Sequence, residues 1–435
     1  MSARTAYTNA RVIDPARGLD APGGVLTRGG RIEDTGADLF AGGVPEDAER
    51  VDCGGAWLVP GLVDMGALVG EPGREHQETI HSAGRAAAAG GTTAVACLPN
   101  TDPVIDNEAA LEFVARRARE TKLVKLHAHG AITRGCEGRD LTEMGLLSEA
   151  GAVGFTEGLH ALADPGMMRR ALSYATAFGV TVAQRPEEPS LASGSMNGGE
   201  RATRLGLGGR SRHAEAMTVE RDVRLVRMTG GRYHAGPITC RESLAVIRAA
   251  KADGLPVTCA TAPPYLALTE AAVGDYRTFA KVAPPLRGEA DRAAVAGAVA
   301  DGTIDAVASD HNPQDQDSKR LPFESAAFGI AGLETRLALT LDLVNAGTLS
   351  PDGLVRRLAL DPARILGLNA GTLAPDAPAD LAVIDADPRW VIDPDAFLSK
   401  CKNAPFDDRP ARGRVHRTVV DGRPIHRAAD DGIAA

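Results

Sequence analysis

The chain has 435 residues, of which 44% are hydrophobic, 24% charged and only 4% aromatic, with a formal net charge of −9. This is a globular composition with room for one large domain or two ordinary ones. The acidic balance argues against non-specific nucleic-acid binding, and few aromatics are left for stacking bases. No stretch approaches the roughly 20 apolar residues that span a bilayer, and residues 1–14 carry Arg4, Asn9 and Arg11 where a signal peptide has its apolar core. A cytoplasmic protein with no nucleic-acid or membrane partner is expected.

Short β runs at 6–13, 24–26 and 31–33 lie between Asp-Pro, Pro-Gly-Gly and Arg-Gly-Gly turn signals. From there the chain alternates short apolar runs with amphipathic ones. Strands are predicted at 58–65, 93–98, 123–128, 152–155, 181–184, 233–239, 257–261 and 306–309, with helices at 77–89, 107–121, 165–178 and 241–253. Eight βα-like repeats fit a closed parallel barrel. An open doubly wound sheet is the runner-up, but no Gly-rich phosphate fingerprint follows the first strand. The segment 190–212, rich in Gly, Ser and Arg, reads as a long loop over the barrel mouth, disordered or in contact with a partner. A helical pair at 350–368 leads to strands at 380–385 and 415–420, the second followed by an Asp421-Gly422 hairpin turn. The tail after Ile425 is expected to fray. The expected division is a composite β domain from 1–56 and 370–435 around a barrel with C-terminal helices at 57–369.

The six cysteines, Cys53, Cys97, Cys136, Cys240, Cys259 and Cys401, are scattered with no C-x-x-C pair. They read as small hydrophobes in a reduced interior, not as a disulfide framework or zinc cluster.

Several strings carry a family resemblance. They include Val59-Pro60-Gly61-Leu62-Val63-Asp64-Met65, Glu71-Pro72-Gly73, Gly90-Gly91-Thr92-Thr93, Pro99-Asn100-Thr101, KVAPPLR at 281–287, Ser309-Asp310-His311, GIAGLET at 329–335, DPARILGL at 361–368 and KNAPF at 402–406. In this order and spacing the chain resembles the type I dihydroorotases of the amidohydrolase superfamily. The resemblance implies an α/β fold, a distorted (β/α)8 barrel with a small composite β domain. It also implies zinc-assisted opening and closing of the dihydroorotate ring in pyrimidine biosynthesis. The family's metal is held by a His-x-His pair after the first strand, a bridging carboxylate, two later histidines and a last-strand aspartate, and zinc at such sites makes a hydroxide available at neutral pH.

Set against that pattern, the metal set is depleted. Where the family reads Asp-Met-His-x-His-x-Arg-Glu-Pro-Gly, this chain has Gly66 and Leu68 for the histidines and Gly70 for the substrate-binding arginine. The string Val182-Ala183-Gln184-Arg185-Pro186-Glu187 places Gln184 at the next ligand, and His234-Ala235-Gly236-Pro237 puts Pro237 at the one after. Glu157 stands for the bridging aspartate, Gln314 for a substrate-contacting histidine, and Pro263-Pro264-Tyr265 for Pro-His-His. Asp310 alone matches cleanly, as ligand and proton shuttle if the protein is active. Without a cation it is expected to pair with a neighbour that the sequence does not name. Asn100 is a remnant of the substrate-carboxylate site or simply a turn residue after a strand.

His127 and His129 share a strand face at i, i+2, but the family has no ligands there, and packing is the simpler reading. His234 reads as a core histidine. The leading expectation is a degenerate, dihydroorotase-like pseudoenzyme with no metal, a structural partner of aspartate carbamoyltransferase in a homo- or hetero-oligomer, the partner being implied by the resemblance. The alternative is an active zinc-dependent dihydroorotase or related cyclic amidohydrolase whose site is rebuilt from His127, His129, Glu157, His234, Asp310 and His311. A small-molecule sensor is a third reading, supported only by the preserved pocket architecture.

Overall fold

The computed structural model describes residues 4–428; the tail beyond lies outside the described residues. Strands from both ends of the chain build one eight-stranded mixed sheet. Arg4–Asp14 pairs antiparallel with Leu19–Arg28 and parallel with Trp57–Pro60, and Leu381–Val391 runs antiparallel to Trp57–Pro60 with Val383 opposite Leu58. Pro410–Val420 and Arg423–Arg427 complete that edge, turning through Asp421-Gly422 as expected. The buried side chains Tyr7, Val12, Val25, Ile32, Leu58, Leu381 and Val419 pack as one apolar cluster.

The middle of the chain forms the barrel. Its parallel strands are Leu62–Ala67, Thr92–Cys97, Lys125–Ala128, Phe155–Thr156, Thr181–Gln184, Arg232–Ala235, Val257–Thr261 and Ala306–Val307. The ring is completed by a parallel bridge from Ala67 to His311. Two differences from the predicted strands have plain causes. The run 58–65 breaks at Gly61, whose N–H donates to Asp380 O of the terminal sheet, so its halves serve different sheets. The run 233–239 ends at Ala235, because Pro237 has no N–H for the ladder.

Helix starts follow local chemistry. Thr79, Asn107 and Asp164 each accept a backbone N–H at the N-caps of Ile80–Ala89, Glu108–Thr121 and Pro165–Thr176. The segment 190–212 is an ordered insertion, not a disordered loop. Met196–Asn197 pairs with Gly209–Arg210 around the short helix Glu200–Leu205, and an 18-residue helix, Arg212–Thr229, follows. No described helix is long and apolar enough to cross a membrane.

One buried ion pair holds the first and last barrel strands in register. The Asp64 carboxylate accepts from Ser309 N at 2.8 Å and Ser309 Oγ at 2.5 Å. Arg336 stands 3.4 Å from it and donates to Val63 O at 2.7 Å and Thr92 Oγ1 at 3.0 Å. Asp64 and Arg336 are both fully buried. Arg336→Met leaves Asp64 uncompensated, and we expect it to cost about 3–5 kcal/mol, read by urea denaturation. A loss under about 1 kcal/mol, the level of a surface pair, would show that the pair does not hold the barrel closed.

Candidate functional site

The C-terminal ends of the barrel strands surround a cavity of about 80 Å³, walled by Gly66, Leu98, His129, Pro237, Ala262 and Asp310 among others. Its floor is closed by Ile365 and Leu366 from the C-terminal helical segment. Barrel chemistry is placed at this end of the strands, so the inward side chains decide what the site can do.

Two neighbouring residues at the end of the fifth strand make different contacts. Thr181, Ala183, Gln184 and Arg185 all line the cavity, while the Gln184 amide bonds back to Leu162. Gln184 Oε1 accepts from Leu162 N at 3.1 Å, and its Nε2 donates to Leu162 O at 3.2 Å and faces Asp222 Oδ2 at 3.5 Å. Arg185 at this strand end also enters the mouth.

Arg185 is also the partner of Asp310 that the sequence left unnamed. Its NH2 lies 2.9 Å from Asp310 Oδ1, with side chains 8% and 14% exposed. Its NH1 donates to Ala283 O. Burial pushes the Asp310 carboxyl above its ordinary range, and the adjacent guanidinium opposes that shift. The Asp310 backbone is left-handed, at φ 49°, a conformation that aspartate tolerates better than most residues.

Other site residues are committed elsewhere. Glu157 accepts from Thr133 Oγ1 at 2.5 Å, and burial raises its carboxyl. Asn100 donates from Nδ2 to Glu157 O at 3.1 Å and accepts from Leu159 N at 2.9 Å, so its amide ties two strand ends together. Gln314 donates to Asn312 Oδ1 at 2.7 Å and accepts from Gln77 Nε2 at 3.2 Å. Tyr265 donates to Pro284 O at 2.8 Å.

Of the histidines, His129 and His234 both line the cavity. His129 Nε2 is 2.9 Å from Met65 O, which requires a proton on that nitrogen. His234 Nδ1 meets Thr258 Oγ1 at 2.9 Å, and burial lowers its pKa to about 3. His127 is absent from the cavity wall, and burial lowers its pKa to about 4. His311 accepts from Gly332 N at Nδ1 (3.1 Å) and turns Nε2 towards Glu78 Oε2 at 3.3 Å. Among the described residues no group of three or more His, Cys, Asp and Glu is placed to hold a metal ion. The donor set at the mouth does not fit a catalytic zinc, which takes three protein ligands and an open position.

Two glycines after the first strand leave different room for a side chain. A Cβ at Gly66 would meet only Leu98 Cδ2 at 3.4 Å, ordinary contact. At Gly70, with φ +68°, a Cβ would fall 2.2 Å from Glu78 O and 2.8 Å from Arg74 O. The loop after the first strand has settled into a path that only glycine can follow.

The fold is that of the amidohydrolase barrels. It superposes on the L-hydantoinase (dihydropyrimidinase) of Arthrobacter aurescens with a TM-score of 0.85 at 24% identity, over 98% of this chain and 96% of that one. A dihydropyrimidinase from Brevibacillus agri gives 0.84 at 21% identity, over 98% and 95%. In sequence, the Dihydro-orotase-like family model matches residues 55–243. Proteins named dihydroorotase from Syntrophotalea carbinolica and Geotalea daltonii are each 44% identical, over 97% of this chain and 99% of the first and over 96% and 98% for the second. The chain belongs to the dihydroorotase family.

The contacts of Gln184 generate a pH prediction. Its neighbour Asp222 is pushed up to about 6 by burial, against the opposing charge of Arg221. A carboxyl raised in the folded state takes up a proton on folding between its ordinary range and about 6. Wild type therefore loses stability relative to Asp222→Asn as pH rises through that window, by about 2–3 kcal/mol in all, and the difference is level above it. Denaturant melts of both proteins at intervals from pH 4 to 8 measure this; a difference that stays flat across the window contradicts it.

Proposed function

We propose that this protein keeps the dihydroorotase barrel without its metal-dependent chemistry and serves as a structural partner of aspartate carbamoyltransferase. The observation that carries the first half is the donor set at the mouth. Gly66, Leu68 and Pro237 offer no ligand atom, and Arg185 offers a cation where a lone pair is needed. Asp310 is already paired with Arg185, and Glu157 accepts from Thr133 through one of its two oxygens. An unmetallated pocket has nothing to lower the pKa of water to the neutral range. The second half rests on the family resemblance and on the separability of fold from site chemistry: core, closure and loop anchors are intact while the ligands are gone.

A second reading is favoured by the names of the relatives, which are those of enzymes. In it the protein is a working dihydroorotase, opening and closing a cyclic amide with zinc at a rebuilt site that uses Asp310 and Glu157, with Asn100 on the substrate. The same protein preparation separates the two. Our reading expects well under one zinc per chain after dialysis against micromolar zinc, ring opening of dihydroorotate at the level of a buffer blank, and co-elution with aspartate carbamoyltransferase from the same organism. Stoichiometric zinc with turnover abolished by Asp310→Asn establishes the second reading instead. Separate elution of the two proteins at micromolar concentration removes the partnership.

A further inference from the structure

A buried carboxylate with no counter-charge is costly, and Asp310 lines the mouth with its side chain only 14% exposed. The guanidinium that balances it reaches three parts of the rim. Arg185 leaves the end of the fifth strand, its NH1 grips Ala283 O, and its NH2 binds Asp310 just beyond the eighth strand. Tyr265, beyond the end of the seventh strand, donates to the next carbonyl along, Pro284 O, so the segment at 283–284 is held from two sides. Arg185 is itself almost wholly buried, with Nε bonded to no other group. A surface arginine making one ion pair would not be enclosed in this way.

We propose that Arg185 is a built-in counter-cation that stands in the place of a metal: it pairs with Asp310 and pins the fifth strand, the 283–284 segment and the eighth strand together. The mouth then keeps its shape with no ion bound, and the same guanidinium fills the space an ion would need. A planar, permanently charged fork suits this task better than an ammonium, because one nitrogen serves the carboxylate while another serves the carbonyl. The proposal builds on the ligand losses described under the proposed function, but it concerns how the emptied site is held together and is tested apart from activity.

The test is a double-mutant cycle read by melting temperature. Arg185→Ala strands Asp310 and lowers Tm by about 5 °C or more. Adding Asp310→Asn to that variant removes the stranded charge and recovers part of the loss. Guanidinium chloride at about 20 mM raises Tm of Arg185→Ala relative to the same concentration of sodium chloride, and leaves wild type and the double variant unimproved. If Asp310→Asn lowers Tm equally in the wild-type and Arg185→Ala backgrounds, the two groups are uncoupled and the proposal falls. Where Arg185→Ala fails to fold, Arg185→Lys is compared with Arg185→Met: a higher Tm for lysine supports a charge role, and equal values overturn it. An uncoupled cycle leaves the non-catalytic reading standing, since that reading rests on missing donors; zinc and turnover in wild type overturn that reading whatever the cycle shows.

Discussion

The charge on Asp310 has to be balanced, and how it is balanced decides what the mouth of this barrel can be. With a cation supplied by ions from solution, the mouth is an open coordination site. With a guanidinium supplied from the fifth strand, it becomes part of the fold. Arg185 takes the second course, 2.9 Å from Asp310 and tied to Ala283. The surrounding groups agree with it. Glu157, Asn100 and Gln314 each turn to neighbouring backbone or side chains. Their bonds hold loops in place and leave no convergent set of lone pairs.

A deeper ion pair explains why the barrel can afford this. Asp64 and Arg336 join the first strand, the start of the second, the end of the eighth and the helix Arg336–Asn345 beneath the mouth, with Ser309 completing the shell. None of Asp64, Ser309 and Arg336 lines the cavity. The side chains that specify the fold are thus separate from those that would specify chemistry, even though Ser309 and Asp310 are adjacent. The similarity to the Syntrophotalea carbinolica dihydroorotase extends over 97% of this chain.

Much of this was legible in the sequence because period and punctuation carry it. The strand at 181–184 and the helices after Thr79, Asn107 and Asp164 follow from apolar spacing and caps. What sequence reasoning missed depends on direction or on distance. Gln184 and Arg185 are neighbours at a strand end but make different contacts, the amide with Leu162 and the guanidinium with Asp310, which spacing alone does not show. The partner of Asp310 lies 125 residues away in sequence, a separation at which no local pattern speaks. The insertion at 190–212 looked featureless because its order comes from tertiary contacts. Arg210 pairs with Glu187 at 3.0 Å and stacks over Phe328 at 4.5 Å, and Arg287 donates to Asn197 Oδ1 at 3.0 Å.

The two glycines after the first strand differ in the room they leave for a side chain. At Gly66 a Cβ would meet only Leu98 Cδ2, at 3.4 Å. Gly70 differs, since its left-handed backbone and the nearby carbonyls of Glu78 and Arg74 exclude any Cβ. Restoring a larger residue there means moving the loop that carries Glu71 and Glu78. Glu71 accepts from Ile80 N at 3.1 Å and pairs with Arg117 at 2.8 Å, while Glu78 faces His311 and accepts from Lys400 N at 3.1 Å. The loop's path is therefore fixed by bonds to the first helix, the second helix and the C-terminal segment together. A side chain at position 70 would have to break that set, so glycine at this position is part of how the loop is held.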